Sequence, residues 1–301
     1  MPPGIRTSVV PPRLAALPAL RAQLESSSRA FFAPRDGERL FRAWGPPGRP
    51  WVVAVEPRGT RWAVEAWGAG APAARAAVRA LFSFDHPLEG FYRLVRRDPV
   101  LAGTERRFRG LRLPRDAHVY EALVHAVIGQ QLSVAAARAI DRRLVERAGS
   151  ILVADGIEVP YVPSPDALRG LGVPGLCATG LSRAKARALG GLAAESAPRC
   201  LDDPSLASIP LEAAVRRLTE LDGVGRWTAE NALLRGTGRP DVFVAGDLGV
   251  RVALDAFGGV ARRAPEAAAR AWAARRYPGW GSYATLYLWR RLTAERAAAA
   301  S

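Results

Sequence analysis

Residues 38–67 alternate with a two-residue period, as in Trp51-Val52-Val53-Ala54-Val55 and Trp62-Ala63-Val64-Glu65-Ala66. Successive side chains of a strand point to opposite faces, so this period predicts β-structure. Breaks at Gly45–Pro50 and Pro57–Gly59 suit hairpin turns, giving three antiparallel strands. A helix is expected at about 72–82, which completes a small α+β domain over residues 29–112. Residues 1–28, rich in Pro, Ala and Ser, are expected to form an arm.

Beyond residue 112 the period changes to that of helices. In 116–128, Val119, Leu123 and Val127 recur every four residues on one face. Gly129 stops that helix, and Ser133 is placed to cap the next, 134–148. Further helices are expected at 165–171, 182–196, 211–220, 226–235, 248–257, 265–276 and 282–296, with Pro and Gly at the junctions. The fold class is therefore an α+β antiparallel-sheet domain followed by an all-α core in two subdomains, 113–301.

Composition adds two exclusions and one partner. No apolar run approaches the roughly 20 residues of a membrane span, so a cytoplasmic protein with no membrane partner is expected. Only Cys177 and Cys200 are present, too few for a disulfide framework or a four-cysteine iron–sulfur cluster. The net charge of +15 points to nucleic acid, because neutralising phosphates releases counterions. Coding bias explains why Lys185 is the only lysine, but not the excess of positive over negative side chains. The basic runs Arg93–Arg97, Arg106–Arg115, Arg142–Arg147 and Arg262–Arg263 are spread through the chain.

Two segments carry candidate chemistry. Leu221-Asp222-Gly223-Val224-Gly225-Arg226-Trp227 lies between two predicted helices, and its glycines allow a tight turn with Val224 tucked between them. Amides of that turn, at the start of the next helix, suit a phosphate, so this reads as a helix-hairpin-helix. An ordinary αα-hairpin has the same pattern of elements. About twenty residues on, Asp247 stands where a new helix begins. Aspartate is a favoured cap there. The same geometry holds a fixed negative charge, which serves a reaction that builds positive charge on a sugar. His118 and His125 share a predicted helix without a third ligand, and read as ordinary helix residues.

In order along the chain stand Gly129-Gln130-Gln131-Leu132-Ser133, Leu221–Trp227 with Thr228-Ala229, Asp247-Leu248-Gly249-Val250-Arg251, and Trp280-Gly281-Ser282-Tyr283-Ala284 running to Trp289. Val162–Pro165 and Leu181–Arg187 fit between them. This series resembles DNA-3-methyladenine glycosylase II, of the helix-hairpin-helix DNA glycosylases, over roughly residues 38–296. The resemblance implies a glycosylase that hydrolyses the N-glycosidic bond of alkylated purines in duplex DNA during base excision repair. Asp247 matches the catalytic aspartate. Trp227 and Trp289 match aromatics of the flipped-base pocket, and Tyr283 is a further pocket candidate. Gly223, Val224, Gly225 and Arg226 match the phosphate clamp, with Arg251 as an added DNA contact. Gln130 and Gln131 match the loop that enters the minor groove. No cofactor is required, although relatives hold a metal ion on the hairpin, which would place a monovalent ion at the Leu221–Gly225 backbone. A monomer acting on double-stranded DNA is expected.

The series departs from the family at Gln131, where a known member has an aliphatic wedge, at Asn231 in place of a tyrosine, and at Leu248 in place of an aromatic residue. Trp227 occupies the position of the Schiff-base lysine of bifunctional relatives, so base removal without strand cleavage is expected. The rival readings are a same-fold glycosylase for oxidised or deaminated bases, and a non-catalytic DNA-structure binder. A neutral lesion calls for hydrogen-bonding pocket residues, where this sequence offers chiefly aromatics.

Overall fold

The computed structural model describes residues 4–12, 32–58, 60–195 and 204–299. Its N-terminal sheet has five antiparallel strands in the order β1-β5-β4-β3-β2. They are β1 (Ile5–Val9), β2 (Arg35–Asp36), β3 (Arg39–Trp44), β4 (Trp51–Arg58) and β5 (Arg61–Trp67). The three predicted strands are β3, β4 and β5. The expected arm is corrected in part, since residues 5–9 pair with β5 from Ile5 opposite Ala66 to Val9 opposite Trp62. Residues 1–3 and 13–28 of that arm lie outside the described residues.

The sheet is buried on both faces. Trp51, Val53 and Val55 of β4 join the main core, against α1 (Ala74–Leu81). The alternate residues Val52 and Ala54 pack with Phe41, Trp67, Ala154 and Val159 in a second cluster. Ala154 and Val159 belong to a hairpin absent from the helical pattern expected there, β6 (Ile151–Ala154) with β7 (Ile157–Pro160). The sequence does carry a signal for it. Asp155-Gly156 is the two-residue turn in which both positions need positive φ, and here they have φ of 51° and 77°.

Short helices α2 (Glu89–Val95) and α3 (Ala102–Arg107) lead to α4 (Val119–Gly129), the central helix of the core. Every residue of α4 from Val119 to Ile128 is buried, which accounts for its weak amphipathicity. Around it stand α5 (Val134–Ala148), α6 (Pro165–Cys177), α7 (Arg183–Glu195), α8 (Leu211–Thr219), α9 (Arg226–Ala232), α10 (Leu248–Ala253), α11 (Glu266–Arg276) and α12 (Gly281–Ala299). Ser133 caps α5 through Ala136 N–H, as expected, and Gly149 ends it in the left-handed conformation. Single π-helical turns, Leu233–Thr237 and Leu254–Gly258, extend α9 and α10.

The two halves are pinned by a buried ionic cluster. Arg42 of β3 pairs with Glu121 of α4 and lies 3.5 Å from Asp116. Behind them His125 stands 3.7 Å from Glu121 and 3.4 Å from Asp141. Asp116, Glu121 and His125 are close enough together to share an ion. Arg42 supplies the positive charge among these carboxylates. His118 caps α4, its Nδ1 accepting from Glu121 N–H at 3.0 Å.

Candidate active site

Asp247 precedes α10 in extended conformation, and its Oδ1 accepts from Val250 N–H at 3.0 Å. The cap reading therefore holds. The carboxylate also receives both candidate tryptophans: Trp289 Nε1 donates to Oδ1 at 2.7 Å and Trp227 Nε1 approaches Oδ2 at 3.3 Å. Three N–H groups thus fix the orientation of one half-buried carboxylate. Gly249 permits the crowding, since a Cβ there would lie 3.1 Å from Asp247 Oδ1 and 3.2 Å from the Trp289 ring.

The rings differ in their surroundings. Trp227, at the second position of α9, is half-buried and touches the end of α4, where a Cβ on Gly129 would meet it at 4.0 Å. Trp289 has the buried Arg235 guanidinium over its ring at 5.5 Å and packs against the main core. Asn231 donates its amide Nδ2 to Trp227 O at 3.1 Å. Leu248, next to Asp247, is 71% exposed, the most exposed large apolar side chain among the described residues.

Tyr283 is corrected: it is buried in the core against His86 and does not join Trp227 and Trp289 at Asp247. Six residues before Trp289 on α12, it is turned by about 240° from it. It is fully buried, with its hydroxyl 2.8 Å from His86 Nδ1 and its ring against Phe91 and Trp280.

The hairpin sits beside these residues. Val224 is buried and its N–H donates to Leu221 O at 3.1 Å, which closes the turn. The expectation that Val224 touches DNA is corrected, since neither its side chain nor its N–H faces outward. Gly223 has φ of 73°, and a Cβ there would lie 2.4 Å from Ala188 Cβ of α7, so only glycine brings the hairpin this close. Gly225 is exposed and precedes α9 with no side-chain cap, which leaves the first-turn amides open.

Both arginines expected at the DNA are corrected. Arg226 is clamped by Glu212 of α8, its Nη1 reaching Oε2 at 2.9 Å, and by Glu230 one turn along α9 at 2.8 Å. Its fork is filled by carboxylates, not aimed outward at phosphate. Arg251 donates to Arg262 O and Ala264 O, holding the loop after α10.

The loop between α4 and α5 projects from the surface, residues 131–135 all being exposed. Gln131 takes φ of 54° at its tip. Gln130 faces inward instead, donating from Nε2 to Gly223 O and to Thr228 Oγ1, both at 3.0 Å. A second support escapes sequence reasoning. Lys185 of α7 donates from Nζ to Ile128 O at 2.9 Å and Gln130 O at 2.6 Å, and burial lowers its pKa. As the single lysine of the chain it draws notice only as an amine nucleophile. Its position on the face of α7 toward the loop has no signal in the sequence.

No helix among the described residues is long and apolar enough to cross a membrane. The chain is similar to a DNA-3-methyladenine glycosylase of Bacillus subtilis, 28% identical over 71% of each chain. It is also similar to a probable bifunctional transcriptional activator/DNA repair enzyme of Mycobacterium tuberculosis, 35% identical over 73% of this chain and 42% of that longer protein. Among solved structures, the 3-methyladenine DNA-glycosylase of Archaeoglobus fulgidus matches with a TM-score of 0.83 and 26% identity, covering 95% of this chain and 98% of that one. Residues 124–276 match the model of the HhH-GPD superfamily base excision DNA repair proteins, a span that contains the loop, the hairpin and Asp247. The chain belongs to the HhH-GPD superfamily of base excision DNA repair proteins.

Proposed function

We propose that this protein is a monofunctional DNA glycosylase that removes alkylated purines, of the 3-methyladenine and 7-methylguanine type, from duplex DNA. The observation that carries this reading is the convergence of Trp227 Nε1, Trp289 Nε1 and Val250 N–H on the Asp247 carboxylate. A negative charge and two aromatic side chains are thus held together beside the hairpin turn proposed to bind phosphate. The names of the relatives from Bacillus subtilis and Archaeoglobus fulgidus support the same substrate class.

The chemistry follows from the lesion. Alkylation at a ring nitrogen leaves the base cationic, so it departs as a neutral molecule when the C1′–N bond breaks and takes the bonding pair. The positive charge passes to the sugar, where the fixed carboxylate of Asp247 stabilises it. Water adds to C1′ and loses its proton. The extruded base stacks on tryptophan, where cation–π attraction is worth about 0.5–2 kcal/mol. Asn231, whose amide is engaged by Trp227 O, leaves few polar groups to read a neutral oxidised base.

The exposed Gln131 enters the gap left by the extruded nucleotide, and Gln130 and Lys185 brace its loop. Phosphate binds at the open amides after Gly225. A monovalent cation would sit against the Leu221–Gly225 backbone carbonyls, whose oxygens keep a second lone pair beside the hydrogen bonds that Leu221 O and Gly223 O accept. The protein acts as a monomer. Incubation with methylated DNA tests the reading: release of 3-methyladenine and 7-methylguanine is expected, and release of neither overturns it.

A further inference from the structure

Helix α12 has two chemically different sides. One carries Trp289 to Asp247. The other packs on residues 96–108, where Tyr287 donates to Phe108 O at 3.2 Å and Arg291 donates to Val100 O. Between that segment and the last turns of α12 lies an open cavity of about 590 Å³.

Its walls carry Arg96, Arg97, Arg106, Arg107 and Arg291, with Asp98 and Glu295 as the acids. Asp98 is committed elsewhere. Its Oδ1 accepts from Val100 N–H, Leu101 N–H and the Tyr277 hydroxyl, and its Oδ2 pairs with Arg276 at 2.7 Å. Glu295 is exposed and only 3.9 Å from Arg291 Nε. Among the described residues, Arg96, Arg97, Arg106 and Arg107 meet no carboxylate. Arg39, Arg79, Arg169 and Arg270 each do.

The positive groups are also held close together. The guanidinium groups of Arg107 and Arg290 both lie over the Phe108 ring, at 5.2 and 4.5 Å from its centre. Arg290 Nε is sealed from solvent with no hydrogen-bond partner, and burial, then the charge of Arg107, lowers the pKa of Arg290. Like charges at this separation oppose folding unless an anion offsets them. Guanidinium forks match phosphate oxygens in pairs, and the four of Arg96, Arg97, Arg106 and Arg107 around one cavity exceed what a single phosphate engages.

We propose that this cavity is an anion site for two or more adjacent phosphates, on the side of α12 away from Asp247. Its ligand is a stretch of nucleic-acid backbone or free polyphosphate, two sources of the same chemistry. The site does not depend on the glycosylase reading.

The test uses the full chain with Arg97→Gln, Arg106→Gln and Arg107→Gln combined. A control carries Arg61→Gln, Arg75→Gln and Arg147→Gln, exposed positions that remove the same charge elsewhere. Calorimetry with tripolyphosphate is expected to show affinity reduced by about tenfold or more in the cavity variant relative to the control. For undamaged duplex, the slope of log K against log[salt] should become shallower by about 0.9 for each phosphate that is no longer neutralised. A changed slope assigns nucleic-acid backbone, and an unchanged slope with abolished tripolyphosphate binding assigns free polyphosphate. Cavity and control variants that behave alike in both measurements overturn the site. Should the triple variant melt below wild type, the single Arg97→Gln and Arg106→Gln proteins, each expected to show part of the loss, decide it. Base release by Asp247→Asn bears on the glycosylase reading alone, since that protein is expected to bind tripolyphosphate as wild type does.

Discussion

Trp289 donates its indole N–H to Asp247 Oδ1 at 2.7 Å, across 42 positions of sequence. The same oxygen accepts the Val250 N–H in the first turn of α10, so one atom both caps a helix and anchors the Trp289 indole. Capping and catalysis are therefore not alternatives at this residue. The cap and the indole N–H together hold the carboxylate still, and under the proposed function the same tryptophan would set where the base lies relative to it.

Asp247→Asn is expected to keep the fold, since asparagine is nearly as good a cap as aspartate. It removes the charge that meets the developing cation on the sugar. Single-turnover excision from methylated DNA should slow by about 3–4 kcal/mol of barrier, roughly a hundredfold to a thousandfold. Thermal melting recorded alongside should stay close to wild type. A folded variant that excises at the wild-type rate would leave Asp247 with the cap role alone.

Trp289→Phe separates the ring from its N–H. The ring and most of the buried volume remain, while Asp247 loses its shortest donor. A hydrogen bond to a charged group is worth about 1.5–3 kcal/mol, so excision should fall by roughly tenfold or more. Affinity for undamaged duplex should hold. Equal excision by Trp289→Phe and wild type would mean that only the ring matters.

Borohydride trapping on methylated duplex should give no covalent adduct, and abasic product should stay unnicked. Trp227 stands after the hairpin where an amine would be needed, and Lys185 spends its Nζ on Ile128 O and Gln130 O. A trapped adduct that disappears in Lys185→Gln would overturn the monofunctional reading.

His86 should make the fold sensitive to mild acid. Burial first, then the charges of Arg115 and Arg112, hold its pKa down to about 4. In the unfolded chain a histidine titrates near 6.5, so the unfolded state takes up the proton first as the pH falls. Stability is thus fully present above about pH 6.5 and declines progressively toward about pH 4. Urea midpoints at pH 7 and 4.5 should differ more for wild type than for His86→Gln. An equal drop in both proteins would place the acid sensitivity elsewhere.

The local elements are legible in the sequence because each is set by nearby residues. The period of β4 and β5, the cap at Ser133, the stop at Gly129 and the turn at Gly223–Gly225 depend on side chains and dihedrals within a few positions. The motif order around Asp247 likewise points to the superfamily by resemblance, and the match of residues 124–276 to its model agrees. The β6–β7 hairpin is legible in principle, through Asp155-Gly156, but its strands are only four residues each and lie among helices.

What the tertiary structure alone decided is where long side chains spend their charge and which face of a helix reaches Asp247. Arg226 and Arg251 read as DNA contacts until Glu212, Glu230 and the carbonyls of Arg262 and Ala264 are seen to take them. Tyr283 and Trp289 share one aromatic-rich helix, but a turn of about 240° sends the first into the core and the second to Asp247. Lys185 became a brace because α7 packs against α4. A guanidinium or ammonium finds its partner through space, at sequence separations that local propensity does not encode, whereas caps and turns satisfy backbone groups close along the chain.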